Sequence, residues 1–496
     1  MLKKLFSFSL AAVLILAVML AVNTARKSSQ QVAVEPAPKL AFDEASAVER
    51  LAGAVRLRTI SDQMNVQANA AEFLSMHRHL EINFPRLHAA LKRETISDFT
   101  LLFTWPGTDA GAKPLLLMAH MDVVPVDAAT EKLWTQPAFS GAKQDGFVWG
   151  RGAWDNKSNL MSQFEAIELL LQAGFKPKQT IYLLLGADEE VNGSRGAGGA
   201  AALFKQRGVR FDYVLDEGLV VTEGIIPGIA VPAALVGVVQ KGYMTAELAV
   251  RFAKGGHSSL PPRESVIGVL AEGIAKIEKT PFKAGIGGVP EQMFERLAPE
   301  MGFPNRLLMS NLWLFGPIVR AKLMQSDAMR AQLHTTTAPT IFKAGIKDNI
   351  LPAEAEARIN FRIIPGDTSD TVVEALRTKV NDTRIEIKKP AFVFEPTRVS
   401  STSAPGYVAI EKTVRQVFTG AVVAPGLFTA RADAGYFDVL ADNVYLFSPV
   451  RVGAADTARF HGVDERISFT NYAEMIRFYH QLFRNAAGKF EQHSAG

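Results

Sequence analysis

Cysteine is absent from all 496 residues, and its absence excludes disulfide bonds, thiolate nucleophiles and thiolate metal ligands. Any metal ion must therefore be held by histidine, aspartate and glutamate. Blocks of one charge sign are also lacking, because 54 basic and 50 acidic side chains are spread along the chain, so no nucleic-acid partner is indicated. Hydrophobic residues at 48% and charged residues at 21% lie close to globular averages, which argues against a disordered chain or a polytopic membrane protein. The length favours two or three domains.

A long hydrophobic run lies at the N-terminus. Residues 5–22 are uncharged, with two lysines before them and an arginine and a lysine after them, which is typical of an export signal. The 18 residues exceed the usual core of a cleaved signal and reach the lower limit for crossing a bilayer, and no clear cleavage site follows. We expect residues 1–27 to be a membrane anchor, with a cleaved signal peptide as the alternative, and the body to lie outside the cytoplasm. Residues 28–40, with two prolines, are predicted to be a linker.

Beyond the linker the chain alternates between strand and helix patterns. The apolar run at 115–119 has no polar alternation, as expected for a strand buried on both faces, and 181–185 is similar. Helical spacing of apolar residues over 158–175 lies between them, and a helix pattern at 197–208 precedes a strand pattern at 213–215. This succession predicts a largely parallel sheet, whose ligands bind beyond the carboxyl ends of the strands.

Ionisable residues follow these strands and a glycine-rich turn between them. In chain order they are His120 and Asp122, Asp155, Glu189 and Glu190, Asp216 and Glu217, with His461 near the other end. Each motif alone is common by chance, but His120, Asp155 and Glu190 follow one another at intervals of thirty-five residues, each after a strand or turn. Nitrogen and oxygen ligands without thiolate predict zinc in a hydrolytic site, with cobalt or manganese as alternatives, and there are enough carboxylates for two ions. His77 and His79, two apart in a predicted helix, are expected at the surface.

Seven motifs together carry a resemblance to a known family. They are LLLMAHMDVVPV, GRGAWDNKS, GADEEVNGS, YVLDEG, GGHSSLPP, NILPAEAEARINFRIIPGD and FHGVDERIS. The chain resembles the di-zinc metallopeptidase and amidohydrolase family of carboxypeptidase S, glutamate carboxypeptidase and aminoacylase, in particular its carboxypeptidase S-like branch. The resemblance implies an α/β fold in which a mainly parallel-sheet zinc-hydrolase domain, residues 41–240 and 392–496, carries an inserted α+β lid domain at 241–391.

The resemblance also implies two Zn²⁺ per subunit. Their ligands would be His120 with one of Asp216 and Glu217 on the first ion, Glu190 and His461 on the second, and Asp155 as the bridge. Neighbours on a strand point in opposite directions, so only one of Asp216 and Glu217 should coordinate. The spacing in aminoacylase-like relatives favours Glu217, and Asp216 stays open.

Two further carboxylates are assigned roles in the reaction. Glu189, next to a ligand, is the expected general base that takes a proton from water and returns it to the leaving nitrogen. Asp122 is expected to accept the second imidazole N–H of His120 and so to fix its tautomer. By resemblance, the peptide bond between Asp155 and Asn156 is expected to be cis.

The lid is expected to supply the substrate contacts. By resemblance, His257 donates to the substrate's carbonyl oxygen, and Asn349 and Arg362 hold the substrate's carboxylate, for which a guanidinium is a bidentate match. In relatives the lid also makes a dimer contact through which the histidine can serve the neighbouring subunit. A homodimer through the lid is therefore one expectation for this chain.

These features predict zinc-dependent hydrolysis of a peptide or amide bond that releases a C-terminal amino acid, as in a carboxypeptidase or dipeptidase acting on short peptides. The alternative is an amidohydrolase of hydrophobic N-acyl amino acids, because both reactions release an amino acid from an amide. An inactive binding protein would be expected to lack a ligand or the base. An aminopeptidase would need a carboxylate to receive the substrate's free amine.

Two segments are less clearly assigned. Relatives carry an Asp-x-Arg-Tyr motif before the final histidine; Asp433 and Tyr436 match it, but Gly435 stands at the arginine position. Either Arg431 reaches the same space or the substrate is held differently, so the substituted motif bears on substrate specificity more than on catalysis. The apolar segment 303–315 is predicted to form lid core, with a pocket for an acyl chain as the alternative.

Overall fold

The computed structural model describes residues 2–252 and 254–486, so residues 487–496 of the predicted C-terminal part lie outside it. The α-helices are α1 (Leu2–Arg26), α2 (Glu44–Val55), α3 (Ala70–Asn83), α4 (Pro85–Ala90), α5 (Lys157–Gln172), α6 (Ala197–Gln206), α7 (Val266–Lys279), α8 (Val289–Leu297), α9 (Phe303–Ser310), α10 (Leu312–Leu323), α11 (Asp327–Leu333), α12 (Ser369–Val380), α13 (Pro405–Val417) and α14 (Phe469–Ala486). The strands are β1 (Lys92–Ile96), β2 (Thr100–Trp105), β3 (Leu115–His120), β4 (Ala142–Gln144), β5 (Phe147–Trp149), β6 (Ile181–Gly186), β7 (Phe211–Glu223), β8 (Ala233–Gln240), β9 (Gly242–Arg251), β10 (Gly256–His257), β11 (Thr336–Ala344), β12 (Ile350–Leu351), β13 (Glu354–Ile363), β14 (Ile385–Lys388), β15 (Val393–Phe394), β16 (Val422–Phe428), β17 (Ala441–Gly453) and β18 (Arg466–Ser468).

The larger sheet has eight strands in the order β1-β2-β6-β3-β7-β17-β8-β16. The pairs β6–β3, β3–β7, β7–β17 and β8–β16 are parallel, whereas β1–β2, β2–β6 and the contacts of β8 with β7 and β17 are antiparallel. The sheet is therefore mixed, with a parallel centre. The predicted α/β fold class is confirmed.

Helices cover both faces of this sheet. β3 is buried along its whole length, as its unbroken apolar run predicts. α5 and α14 pack on one face through side chains that include Phe164 and Tyr472, and α6 covers the other face through Phe204. Because β3, β6 and β7 run parallel, their carboxyl ends meet at one edge, which the helices leave open.

The second sheet follows the alternating pattern that the sequence predicts. It has the order β11-β13-β9-β14, with β15 also paired to β9. Along β13, exposed and buried residues alternate, and the buried side chains pack with α7 and α12. The opposite face carries charged residues such as Glu247, Glu356 and Arg358. A two-stranded ladder of β10 and β12 lies apart from this sheet.

The apolar segment 303–315 does not form lid core, and that prediction is wrong. Helices α8 to α11 contribute to a separate hydrophobic cluster with Val422 and Ala424 of β16, at the edge of the larger sheet. Phe303 and Trp313 remain exposed. The physical reason is that α7 and α12 already cover the apolar face of the smaller sheet, whereas its other face is charged.

The N-terminal helix α1 is long and apolar enough to cross a membrane, and none of its apolar window is buried. The residues after it contain no helix or strand, but they lie against the body. The Gln31 side chain accepts a hydrogen bond from Val423 N at 2.7 Å and donates one to Val423 O at 2.9 Å. Ala37 N donates to Gln416 O at 2.9 Å.

One of the two histidines expected at the surface is buried. His77 Nε2 lies 2.8 Å from Phe99 O, and the ring is 6% exposed, so the expectation is wrong for this residue. His79 is half-buried, with Nε2 2.8 Å from Arg50 O. Both partners are main-chain carbonyls of distant segments, which the helical spacing of α3 does not reveal.

Candidate active site

Two histidines from opposite ends of the chain meet at the carboxylate of Asp155. His120, the last residue of β3, has Nε2 3.0 Å from Asp155 Oδ1, and His461 has Nε2 2.9 Å from Asp155 Oδ2. Asp155 lies in the glycine-rich turn before α5, and the cis peptide bond expected between Asp155 and Asn156 is present. A carboxylate that presents one oxygen to each of two imidazoles has the placement of a bridging group.

Each histidine has a second carboxylate beside it. Glu217 Oε1 lies 3.4 Å from His120 Nε2, and Glu190 Oε1 lies 3.4 Å from His461 Nε2. Asp216 is turned away from the histidines, and its two oxygens accept backbone N–H groups at 2.8 Å. Of the two residues that the sequence leaves open, Glu217 is the one that lies with the cluster.

Glu189 and Asp122 border this cluster. Glu189 lies on the short turn after β6, and its carboxylate, His120 and Glu217 offer ligand atoms within 4.8 Å of one another. The Asp122 carboxylate accepts the backbone N–H of Glu189 at 3.3 Å and of Glu190 at 3.1 Å. His120 Nδ1 lies 2.9 Å from the main-chain oxygen of Asp122 and 3.4 Å from its Oδ1. The nearer partner of the imidazole is thus the carbonyl of Asp122 rather than the expected carboxylate, which mainly holds the turn of Glu189.

A buried ion pair fixes the turn that carries Asp155, and the sequence reasoning missed it. Glu465 accepts three backbone N–H groups of the 152–155 turn at 2.9 to 3.0 Å, and Arg151 Nη1 at 2.6 Å. Arg151 also donates to the main-chain oxygen of His461 at 3.0 Å. The pair therefore holds both the bridging carboxylate and the second histidine. The only signal in the sequence is that Arg151 and Glu465 lie within the motifs GRGAWDNKS and FHGVDERIS, which carry the family resemblance.

The charge of the cluster fits bound cations. Burial raises the pKa of Glu217 to about 8, with a contribution from the charge of Asp155, and burial also raises the pKa of Glu189 well above its ordinary value. Glu190 Oε1 is buried and forms no hydrogen bond, apart from the 3.4 Å approach of His461. Carboxylates crowded in a buried site are stabilised by a divalent cation, and oxygen and imidazole donors suit zinc, cobalt or manganese. The residues present therefore fit a metal centre.

A cavity of about 690 Å³ opens beside the cluster. Glu189, Glu217 and His461 line one side of it. Much of the rest is apolar, with contributions from Leu219, Val220, Ile225, Phe428 and Val452. The cavity is therefore amphipathic, with the ionisable cluster at one side and aliphatic and aromatic side chains elsewhere.

Two arginines also line this cavity. Arg362 of β13 lies with its guanidinium carbon 4.8 Å from the ring centre of Tyr243. Arg431 lies 4.2 Å from the ring centre of Phe394 and donates to Asn192 O at 2.7 Å. Arg431 thus reaches the cavity, as the sequence suggested.

Gly435 cannot easily carry the arginine of the family motif. A Cβ atom there would lie 2.3 Å from Nε2 of the buried Gln240 and 3.3 Å from the ring of Phe394. The ring that occupies this space is the same one on which Arg431 stacks. Arg431 therefore supplies a guanidinium close to this position, where Gly435 leaves no room for a longer side chain.

The structure does not bring His257 and Asn349 to the cluster. His257 lies in β10, exposed, with Nδ1 2.8 Å from Ser259 Oγ. Asn349 is also exposed, and its main-chain oxygen accepts from Ser258 N at 3.1 Å. Neither residue lines the cavity, whereas Arg362 does.

Residues 116–485 match the model of peptidase family M20/M25/M40. The chain belongs to this family. Its metal-binding cluster lies within the matched part, and the predicted family and metallohydrolase class are confirmed.

Relatives of this M20 chain carry names of two kinds. The protein named Probable carboxypeptidase S-like 2 from Dictyostelium discoideum is 39% identical over 477 residues, which cover 94% of this chain and 91% of the relative. The N-fatty-acyl-amino acid synthase/hydrolase PM20D1.1 from Danio rerio is 42% identical over 410 residues, covering 81% of this chain and 78% of the relative. The M20 family metallo-carboxypeptidase Sso-CP2 from Sulfolobus solfataricus shares the fold, with a TM-score of 0.66 at 19% identity over 90% of this chain and 100% of that one. The names agree with both the predicted function and its alternative.

Proposed function

We propose that this chain is a membrane-anchored two-metal hydrolase that cleaves an amide bond and releases an amino acid with a free carboxylate. The observation that carries the proposal is the placement of Asp155 between His120 and His461, each with its own second carboxylate. Two ligand sets that share one carboxylate are the arrangement used by two-metal hydrolases. The first candidate substrates are short peptides, from which a carboxypeptidase or dipeptidase releases the C-terminal amino acid.

Two zinc ions, for which cobalt or manganese can substitute, would be held by His120, Asp155, Glu190, Glu217 and His461. When bound, such ions polarise a carbonyl group and make water a nucleophile at neutral pH. Glu189 receives the proton of the attacking water and delivers it to the leaving nitrogen. Its buried setting raises the pKa of this carboxyl, which favours a group that both takes up and releases a proton.

Arg362 and Arg431 hold the carboxylate of the substrate. Both guanidinium groups face the cavity, and the stacking of Arg431 on Phe394 restricts its orientation. A planar guanidinium matches a carboxylate through two parallel hydrogen bonds. This cationic wall selects substrates with a free carboxyl terminus and disfavours binding of a substrate's ammonium group at the same place.

A hydrophobic N-acyl amino acid is the second candidate substrate. It is favoured by the apolar part of the cavity, where Leu219, Ile225 and Val452 provide surface for a hydrocarbon group. The volume of about 690 Å³ lies within the range of roughly 300–1,000 Å³ that encloses ligands larger than a small dipeptide. Both candidates use the same cluster and the same arginines.

Within residues 241–391, which join the catalytic parts 41–240 and 392–496, the smaller sheet with α7 and α12 acts as a lid. His257 and Asn349 contribute either after the lid closes or in the site of a neighbouring subunit in a homodimer. The exposure of both residues supports such a role, as do Ile341 and Phe342, apolar and partly exposed on the edge strand β11. α1 holds the chain to a membrane with the catalytic body outside the cytoplasm.

The test combines metal analysis with three substrates. The purified chain should contain close to two zinc ions, and a chelator should abolish hydrolysis. The substrates are Gly-Leu, its N-terminally blocked analogue and a long-chain acyl-leucine. Release of leucine from the blocked peptide supports the proposal, and preference for the acyl-leucine selects the second candidate. Metal-free protein that ignores chelators, or cleavage that requires a free amine but no free carboxylate, would contradict it.

A further inference from the structure

Helices α9 and α10 form an apolar surface whose charged residues are all basic. We call residues 303–323 the apolar hairpin. Phe303, Trp313 and Ile318 are 70%, 58% and 64% exposed. The sequence from 301 to 326 contains three basic residues and no acidic one. Exposed apolar surface of this kind marks a site of interaction.

The apolar hairpin is fixed to the C-terminal end of α1. Asn311, which is fully buried, donates from Nδ2 to Thr24 Oγ1 at 3.1 Å and accepts from Asn23 Nδ2 at 3.2 Å. Arg306 Nη2 donates to the main-chain oxygen of Lys27 at 2.8 Å. The hairpin and the end of α1 therefore form one continuous unit.

The geometry of α1 sets the level of this unit relative to a bilayer. Its 25 residues extend about 37 Å, which is longer than the roughly 30 Å hydrocarbon core. Asn311 Nδ2 also lies 3.4 Å from the main-chain oxygen of Leu20, six residues before Arg26 and so about 9 Å along the helix axis. Helices that lie in a membrane surface bury their apolar faces about 5–10 Å deep. A hairpin held at this level reaches the boundary between headgroups and acyl chains.

We propose that the apolar hairpin docks on the lipid bilayer, beside the point where α1 leaves it. The proposal rests on α1 acting as a membrane anchor. A bilayer fits this surface better than a second copy of the chain, because the surface continues the apolar face of α1. The side chains of its exposed Arg320 and Lys322, with no acidic neighbour in the hairpin, can reach lipid phosphate groups while their stems lie on apolar surface. Trp313 has the side chain that is enriched at membrane interfaces.

The docked hairpin also places the cavity near the bilayer. Ala328 of α11, five residues beyond the end of α10, lines the cavity together with Ile225. A hydrocarbon chain that extends from the lipid surface thus has a short path to the apolar part of the cavity. This consequence applies to the N-acyl amino acid candidate, whereas docking itself does not depend on the substrate.

Tryptophan fluorescence provides a direct test. Of the five tryptophans, all within the described residues, Trp313 is exposed and the others are buried or half-buried. The full chain is reconstituted into phosphatidylcholine and phosphatidylserine vesicles, with and without brominated acyl chains, which quench tryptophan on contact. We expect brominated lipid to lower the emission of the unaltered chain at least twofold more than that of Trp313→Phe. Equal quenching of the two proteins would overturn the proposal.

Two variants show whether the apolar side chains cause the docking. The double variant Phe303→Ser, Ile318→Ser should lower the quenching of Trp313 by at least half, because it removes apolar side chains that would contact the lipid. Both side chains are exposed, so their loss leaves the core intact. The control is Ile346→Ser, an isoleucine that is 91% exposed and lies outside the hairpin, which should leave quenching unchanged. If Trp313 is instead cross-linked to a second copy of the chain and shielded from brominated lipid, the surface is a contact between copies and bilayer docking is wrong. Quenching requires no hydrolysis, so this outcome is independent of the proposed function.

Discussion

Glu189 lies beside the ligand cluster, but it is not among the expected metal ligands, because His120 is already paired with Glu217 and His461 with Glu190. Glu189→Gln keeps the size of the side chain and removes its ability to take up a proton. We expect turnover to fall by about 10²–10⁴-fold while the zinc content stays the same. The measurement is steady-state hydrolysis together with metal analysis, and the exposed Glu131→Gln serves as the control. Full turnover with metal retained would assign the base to another group.

Glu465 acts on the metal centre without touching it. Glu465→Gln leaves the buried guanidinium of Arg151 without its carboxylate, which typically costs about 3–5 kcal/mol of unfolding free energy. Because the same residue holds the turn of Asp155, zinc affinity should fall by about 10–100-fold. Denaturant unfolding and zinc titration measure the two effects. Glu474→Gln on α14, which breaks the ion pair with Arg451 of β17, should leave zinc affinity unchanged.

Arg431 should determine binding of the substrate's carboxylate rather than the rate of the chemical step. Arg431→Lys keeps the charge but loses the bidentate geometry and the stacking on Phe394. We expect KM for a carboxylate substrate to rise about 10-fold or more, since hydrogen bonds to charged groups contribute about 1.5–3 kcal/mol. The same substrate with its carboxylate converted to an amide should show no such difference between the two proteins. An unchanged KM for the carboxylate substrate would exclude this role.

At the scale of elements, α14 contains a histidine whose protonation opposes folding. Burial, with a smaller contribution from Arg484, lowers the pKa of His480 from 6.5 to about 4. Below pH 6.5 the unfolded chain therefore binds the proton more readily than the folded one, and the stability from neutral burial, up to about 3 kcal/mol, is lost as the pH falls towards 4. Unfolding of the unaltered chain and of His480→Gln should be compared between pH 7 and 4.5. The stability of the unaltered chain should fall more steeply, and parallel curves would contradict the assignment.

The elements that bear the ligands could be predicted, because their signals are local. The run of β3 lacks polar alternation since the strand is buried on both faces, and His120 marks its end. The choice between Asp216 and Glu217 could not be made in the same way, because strand alternation states only that one of them points inward. Glu465 was missed because its partners are main-chain N–H groups 310 or more positions away, which no side-chain pattern marks.

The apolar segment 303–315 shows a different limit of sequence reasoning. Its hydrophobicity predicts burial, yet Phe303 and Trp313 remain exposed. Hydrophobicity does not state what the segment packs against, and the structure places it next to α1 and β16 instead of the smaller sheet. The segment packs elsewhere because α7 and α12 already cover the apolar face of the smaller sheet. Which faces are covered becomes known only from the assembled fold.

At the scale of the whole molecule, the metal centre links folding to cations. The ligands come from β3, the turn before α5, the turn after β6, β7 and the segment before β18, so bound ions join distant parts of the chain. Zinc at about 100 times its dissociation constant should stabilise the fold by about 2.7 kcal/mol. Thermal unfolding after chelation and after zinc is restored measures this difference. An unfolding temperature indifferent to chelation would argue against bound ions in the native state.

The hydrogen bonds between Gln31 and Val423 limit how far the catalytic body can move away from α1. They attach the chain to β16 only five residues after α1 ends. With α1 in a bilayer, as proposed, the body would stay close to the lipid surface, and rotation about the axis of α1 would be its main remaining motion. The active site of an enzyme held in this way meets substrates along the membrane surface rather than throughout the solution. Its collisions with amphiphilic molecules in the same leaflet depend on their density per unit area and on lateral diffusion, whatever their concentration in the surrounding water.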